Sequence, residues 1–214
     1  MKKFLLIISI LFTIQAASAE GIFEVQTPQD LPVFSDIENH WAENYILEMA
    51  ELEIIEGYFD NSFKPNQSIT RAELTKLVLE AFDLYSPNTD PSSYDIYSTW
   101  EILFSDVEHG MWYNPYIRKA LEFGLISGYE DNTFRPNQVI TRAEAAKLIL
   151  SAADIETKEY ISPFLDLVDW QIPWVTTAYR YKIINGINVD EFGPNYPLLR
   201  GETCKIISNT LKSI

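Results

Sequence analysis

A single pattern is written three times in this chain, from Trp41 to Arg71, Trp112 to Arg142 and Trp170 to Arg200, with no gap inside any copy. The first two copies read WAENYILEMAELEIIEGYFDNSFKPNQSITRAE and WYNPYIRKALEFGLISGYEDNTFRPNQVITRAE; the third, WQIPWVTTAYRYKIINGINVDEFGPNYPLLRGE, is blurred. A period of this length marks repeat units that cannot bury their apolar faces alone and must pack on one another. An arginine recurring in the same register implies one site built several times, which suits binding better than catalysis.

Each unit reads as helix, loop, helix. Trp41, Tyr45, Ile46, Met49, Ala50 and Leu52 recur at helical spacing, as do Trp112, Tyr116, Ile117, Ala120, Leu121 and Phe123. Gly57 and Gly128 are expected to end that region through positive φ. The polar turns Asp60-Asn61-Ser62 and Asp131-Asn132-Thr133 then lead to Phe63 and Phe134, which return an aromatic ring to the core. After Pro65 and Pro136, Thr70 and Thr141 fit as N-caps with Glu73 and Glu144 three residues on, a capping box in each copy. The second helices place Leu74, Leu77, Val78 and Ala81, or Ala145, Leu148, Ile149 and Ala152, on their inner side. The predicted fold is mainly α, with three helix–loop–helix repeats packed around a pseudo-threefold axis and the second helices at its centre.

The first residues read as an export signal: Lys2 and Lys3, an apolar run from Phe4 to Ile14, and the small residues Ala17-Ser18-Ala19. The run is too short to span a bilayer, and no second one of sufficient length follows. The expected division is a signal peptide at 1–19, a lead at 20–33, repeats at 34–82, 104–153 and 164–211, and linkers at 83–103 and 154–163. Removing Lys2 and Lys3 takes the formal charge from −15 to −17. That balance disfavours nucleic acid and anionic membranes, and any acidic ligand must be held by local cations against the overall field. Cys204, the single cysteine, shares its register with Thr75 and Ala146 and reads as a small buried side chain.

Phe34-Ser35-Asp36 and Phe104-Ser105-Asp106, the tryptophan start, Gly-Tyr and two copies of Ile-Thr-Arg-Ala-Glu together closely resemble S-layer homology repeats. The third copy keeps Phe164-Leu165-Asp166, Trp170, Gly186, Phe192, Pro194, Arg200, Glu202 and Lys205. The resemblance implies a three-pronged helical module, exported to the cell surface, that attaches proteins to the cell wall or S-layer. In Gram-positive members the ligand is a secondary cell-wall polysaccharide, often with pyruvate ketals on N-acetylmannosamine. The sugar lies in grooves between prongs, and the arginine of the repeated motif meets the acidic group. Carried over, that role falls on Arg71 and Arg142, and on Arg200 in a third groove weakened by local substitutions. Leu199 replaces the capping threonine there, Gly186-Ile187 replaces Gly-Tyr, and Gly193 replaces Lys64 and Arg135.

A guanidinium fork matches a carboxylate in two hydrogen bonds, so the arginines suit an acidic sugar. The alternative is an ion pair with a neighbouring glutamate or with the acid of Phe-x-Asp. Lys64 and Arg135 either add a second cation to each groove or carry solvated loop charge. Trp41, Trp112 and Trp170 either stack on a sugar face or, as is more usual for such residues, anchor helices in the core. Asp36, Asp106 and Asp166 either meet sugar hydroxyls or cap the first helix of each unit.

No converging catalytic set stands out, and no nucleophile elbow, phosphate loop or HExxH is present, so the chain reads as non-catalytic and without a cofactor. His40 and His109 lack partners at metal-ligand spacing. The turns at Asp60 and Asp131 lack the carboxylate series of a calcium loop. The competing reading is a structural envelope subunit that self-assembles or docks another exported protein, for which Tyr94, Tyr97 and Trp100 in the linker offer aromatic surface.

Overall fold

A computed structural model describes residues 33–85 and 104–214. The export signal, most of the lead and the linker aromatics Tyr94, Tyr97 and Trp100 lie outside these residues. Among these described residues six helices follow in order: α1 (Glu43–Glu51), α2 (Arg71–Ala81), α3 (Asn114–Glu122), α4 (Arg142–Ala152), α5 (Gln171–Arg180) and α6 (Arg200–Ser213). Among the described residues there are no strands beyond three isolated antiparallel bridges. No helix among them is long and apolar enough to cross a membrane.

The second helices α2, α4 and α6 touch one another pairwise and form the centre. Each first helix packs on a second helix from a different unit: α1 on α6, α3 on α2 and α5 on α4. The units are therefore interlocked in a ring, which the contact of α1 with α6 closes. That closing contact carries a polar clamp, in which Glu48 of α1 accepts from the Ser208 hydroxyl at 2.8 Å and pairs with Lys212 at 2.8 Å.

The backbone repeats this cycle at the axis. Ile69 N–H donates to Leu198 O (2.9 Å), Leu198 N–H to Ile140 O (3.0 Å), and Ile140 N–H to Ile69 O (3.1 Å). One residue group further on, the N–H groups of Arg71, Arg142 and Arg200 donate to the carbonyls of Gln138, Tyr196 and Gln67. These are first-turn N–H groups that a helix cannot satisfy internally, so the neighbouring unit supplies their acceptors. Ile69, Ile140 and Leu198 are all buried around the same ring.

Local chemistry explains the starts and stops. Thr70 and Thr141 accept from the N–H groups of Glu73 and Glu144, whose carboxylates accept in return from the cap N–H. The third unit was expected to lose this box, but it keeps half. Leu199 has no hydroxyl, yet its N–H still donates to Glu202 at 3.0 Å. The first helices end at positive-φ residues, Glu53, Gly124 and Lys182, each followed by an N–H that reaches back to the last turn.

Gly57 and Gly128 stand later than these ends, and only Gly128 has positive φ. Their common cause is crowding. A Cβ would lie 2.4 Å from Phe34 at Gly57, 2.1 Å from Phe104 at Gly128 and 2.4 Å from Phe164 at Gly186. The phenylalanine of each Phe-x-Asp thus packs against a glycine and against Phe63, Phe134 or Phe192. Those three rings are fully buried, each stabilising its lobe by about 1.5–3 kcal/mol of transfer free energy.

Candidate functional site: three grooves between the units

Asp36, Asp106 and Asp166 neither cap the first helices nor line the grooves. Each carboxylate accepts from two successive backbone N–H groups, those of Phe63 and Lys64, Phe134 and Arg135, and Phe192 and Gly193, at 2.7–3.1 Å. Lys64, Arg135 and Gly193 have φ of 58°, 59° and 70°, and that turn points consecutive N–H groups at one anion. The acids are internal braces that fix the loop carrying Phe63, Phe134 or Phe192.

That loop is where the arginines go, each into a different unit from its own. Arg71 Nε donates to Phe134 O at 2.9 Å, Arg142 Nε to Phe192 O at 3.2 Å, and Arg200 Nε to Phe63 O at 2.9 Å. Each guanidinium also lies over the ring of the phenylalanine it reaches, at 4.5–4.7 Å. The sequence attaches each arginine to its own unit; the structure places it in the next.

Two open clefts result. One, of about 370 Å³, is lined by Arg71 of the first unit, Gly128, Tyr129, Glu144 and Lys147 of the second, and Trp170 of the third. The other, of about 760 Å³, is lined by Arg200 of the third unit, Gly57, Tyr58, Glu73 and Lys76 of the first, and Trp112 of the second. Each of these two clefts therefore draws on all three units. The tryptophans are not the core anchors that helical spacing suggested. Trp41, Trp112 and Trp170 are 53%, 50% and 45% exposed, because they stand just before their helices rather than on an inner face.

Tyr58 and Tyr129, absent from the candidates singled out by sequence, are central here. The Tyr129 ring has Arg71 at 4.9 Å and Arg135 at 3.8 Å, and the Tyr58 ring has Arg200 at 5.1 Å and Lys64 at 3.9 Å. Lys64 and Arg135 do not line the clefts; they pack on the tyrosine ring and pair with Asp60 and Asp131. Hydrogen bonds from Ser62 keep the Asp60 carboxyl below its ordinary range. Thr133, then Arg135, do the same for Asp131. Lys76 and Lys147 supply the second cation that the loop residues do not. The signal for them was present, since both follow the repeated arginine by five residues and Lys205 repeats it.

The third groove is different. Its arginine is Arg142, and the loop it enters is that of the third unit, so Ile187 and Gly193 stand where the others have tyrosine and its cation. The substitutions in the third repeat therefore fall on Arg142 and not, as expected, on Arg200. Arg142 is buried, and its donors reach Phe192 O, Asn185 O at 2.7 Å and Glu202 at 2.9 Å. Burial pushes its pKa down, while Glu202 and Asp166 oppose that shift. Arg71 is held more loosely, with Glu144 at 3.4 Å. Arg200 is partly buried, and among the described residues no carboxylate is paired with it. Lys205 lies 5.8 Å from the Trp41 ring, the counterpart of Lys147 at 6.0 Å from Trp170.

Comparison with known proteins identifies the architecture. The chain belongs to the S-layer homology domain family, which it matches at residues 33–75, 103–146 and 164–204. It is 32% identical over 187 residues to an amylopullulanase of Thermoanaerobacterium thermosulfurigenes, covering 84% of this chain and 9% of that protein. It is 37% identical over 120 residues to a cellulosome-anchoring protein of Acetivibrio thermocellus, covering 54% of this chain and 25% of that one. It is 25% identical over 206 residues to a surface-layer 125 kDa protein of Lysinibacillus sphaericus, covering 93% and 16%. The chain thus spans a quarter or less of the length of these relatives. Family and surface-layer relatives together define an exported cell-surface chain built on an envelope-anchoring module.

Proposed function

We propose that this chain anchors at the cell envelope by binding an acidic cell-wall polysaccharide in its inter-unit grooves, without catalysing a reaction on it. The observation that carries this reading is the pair of open clefts, each with an inward arginine, a second-helix lysine, a braced tyrosine and a half-exposed tryptophan. The guanidinium supplies a two-pronged match for a carboxylate, and aromatic faces suit the apolar C–H patches of a sugar ring. Arg71 and Arg200 are the acid-binding residues in this reading, while Arg142 is a structural bolt. A pyruvate ketal fits the chemistry, being a carboxylate fixed rigidly to the sugar. The test is sedimentation of the mature protein with purified cell-wall sacculi before and after mild acid removal of ketal pyruvate. Binding should be lost with the pyruvate; sedimentation that is unchanged rejects the acidic-ligand assignment.

A further inference from the structure

The two open grooves share an inner half but not an outer one. Around Arg71 the outer wall carries Ser127, and Gly124 and Ser151 stand at the two other corresponding register positions. The same three positions around Arg200 are Glu53, Glu56 and Glu80, all of which line the cleft. Around Arg142 they are Lys182, Asn185 and Asn209. One scaffold thus presents neutral, acidic and basic-amide outer walls. Counting charged residues on the lining, the Arg71 groove has Arg71 and Lys147 against Glu144. The Arg200 groove has Arg200 and Lys76 against Glu53, Glu56, Glu73, Glu80 and Asp83.

Several of those acids are already engaged. Glu73 caps its own helix, and Glu80 accepts from Tyr116 and pairs with Lys76 at 4.0 Å. Glu53 and Glu56 are exposed on the rim. A ligand entering this cleft therefore meets an arginine suited to a carboxylate at one end and carboxylates at the other. A purely anionic saccharide gains at Arg200 and is repelled at Glu53 and Glu56. A saccharide that also bears a protonated amine gains at both.

We propose that the Arg200 groove is selective for a zwitterionic saccharide, an acidic sugar carrying a free amine on the same or the adjoining ring, whereas the Arg71 groove takes the acidic sugar alone. This rests on the acidic-glycan reading above and divides it between two unlike sites. The larger cleft has room for more than one ring, and Tyr58 of the first unit and Trp112 of the second supply its aromatic faces.

The experiment uses two defined probes, the methyl glycoside of 4,6-O-pyruvyl-N-acetylmannosamine and its de-N-acetylated counterpart, titrated calorimetrically into the mature chain. Arg71→Ala leaves the Arg200 groove and Arg200→Ala leaves the Arg71 groove. The Arg71→Ala protein should bind the free-amine probe about ten-fold more tightly, as expected for two exposed charge contacts of modest strength. The Arg200→Ala protein should show no such preference. Adding Glu53→Gln and Glu56→Gln to Arg71→Ala should erase the difference, with circular dichroism unchanged because both side chains are exposed. Equal affinity of the Arg71→Ala protein for the two probes overturns the proposal while leaving acidic-glycan binding intact. An acetylated probe that binds Arg71→Ala more tightly on addition of calcium, through Glu53 and Glu56, overturns it in favour of a bridging cation. Failure of every protein, wild type included, to bind either probe overturns the parent reading as well.

Discussion

Arg142 and Arg200 occupy the same register of the repeat and donate to the same carbonyl of the loop they enter, yet they live in different surroundings. Arg142 meets a loop with Ile187 and Gly193, sinks to 6% exposure and engages a glutamate and a second carbonyl. Arg200 meets a loop with Tyr58 and Lys64, and lies 5.1 Å from a ring that Lys64 also contacts at 3.9 Å. The difference follows the receiving loop: where it offers a tyrosine and a cation the guanidinium lines a cleft, and where it offers an aliphatic residue and a glycine the guanidinium is claimed by its own protein. A repeated motif does not by itself guarantee a repeated function; the residues of the receiving unit decide.

The largest expected effect separates these roles directly. Arg71→Ala combined with Arg200→Ala should abolish sedimentation with cell walls. Each loses a charged hydrogen-bonding partner, worth about 1.5–3 kcal/mol, and neither groove remains to compensate through avidity. Arg142→Ala should leave sedimentation intact. Retained binding in the double variant, or lost binding in folded Arg142→Ala, would break the comparison.

Stability should show the opposite ranking. Arg142→Ala strands Glu202 and two carbonyls in a largely buried site, and should lower unfolding free energy by about 2–4 kcal/mol in urea titrations. Arg200→Ala, more exposed and without a paired carboxylate, should cost about half as much. A smaller effect lies at the helix caps. Thr70→Ala or Thr141→Ala should cost about 1 kcal/mol, and Leu199→Thr should recover up to a similar amount by completing the half-box that Glu202 already forms. Thermal melts of the three variants resolve these shifts. Smallest of all, Ile187→Tyr restores the groove tyrosine and leaves Gly193, where a lysine would be strained by the φ of 70°, yet Asn185 O and Glu202 still hold the guanidinium. Stability should move by about 0.5 kcal/mol or less, with no new binding site detected by titration.

Much of the fold was legible because its determinants are local. Helical spacing, the Thr-Arg-Ala-Glu capping box and the aromatic return at Phe63 and Phe134 each depend on residues a few positions apart. The need to bury an apolar stripe then forces the units together. The site was less legible because it is made by ring closure. Arg200 Nε and Phe63 O are 137 positions apart, and nothing in either repeat says which loop an arginine enters. The acids of Phe-x-Asp were ambiguous for a related reason. Their partners are backbone N–H groups in a left-handed turn, and a letter code does not display backbone N–H direction. Trp41, Trp112 and Trp170 fit a helical stripe by spacing, but the first helices begin one or two residues after them, so the rings stand off the inner face. Cys204 behaved as its repeat register suggested: it is buried, and burial pushes its thiol up to about 12.

The cyclic exchange of carbonyls and side chains also sets how small a working version of this molecule can be. A fragment of two repeats would not be two-thirds of a binder, because each cleft borrows a wall from the repeat removed and the axial hydrogen-bond circle would be broken at two of its three links. Shortening has no graded outcome here. Evolution or engineering can retune one cleft by editing the loop that receives its arginine, but subtraction takes all of them at once.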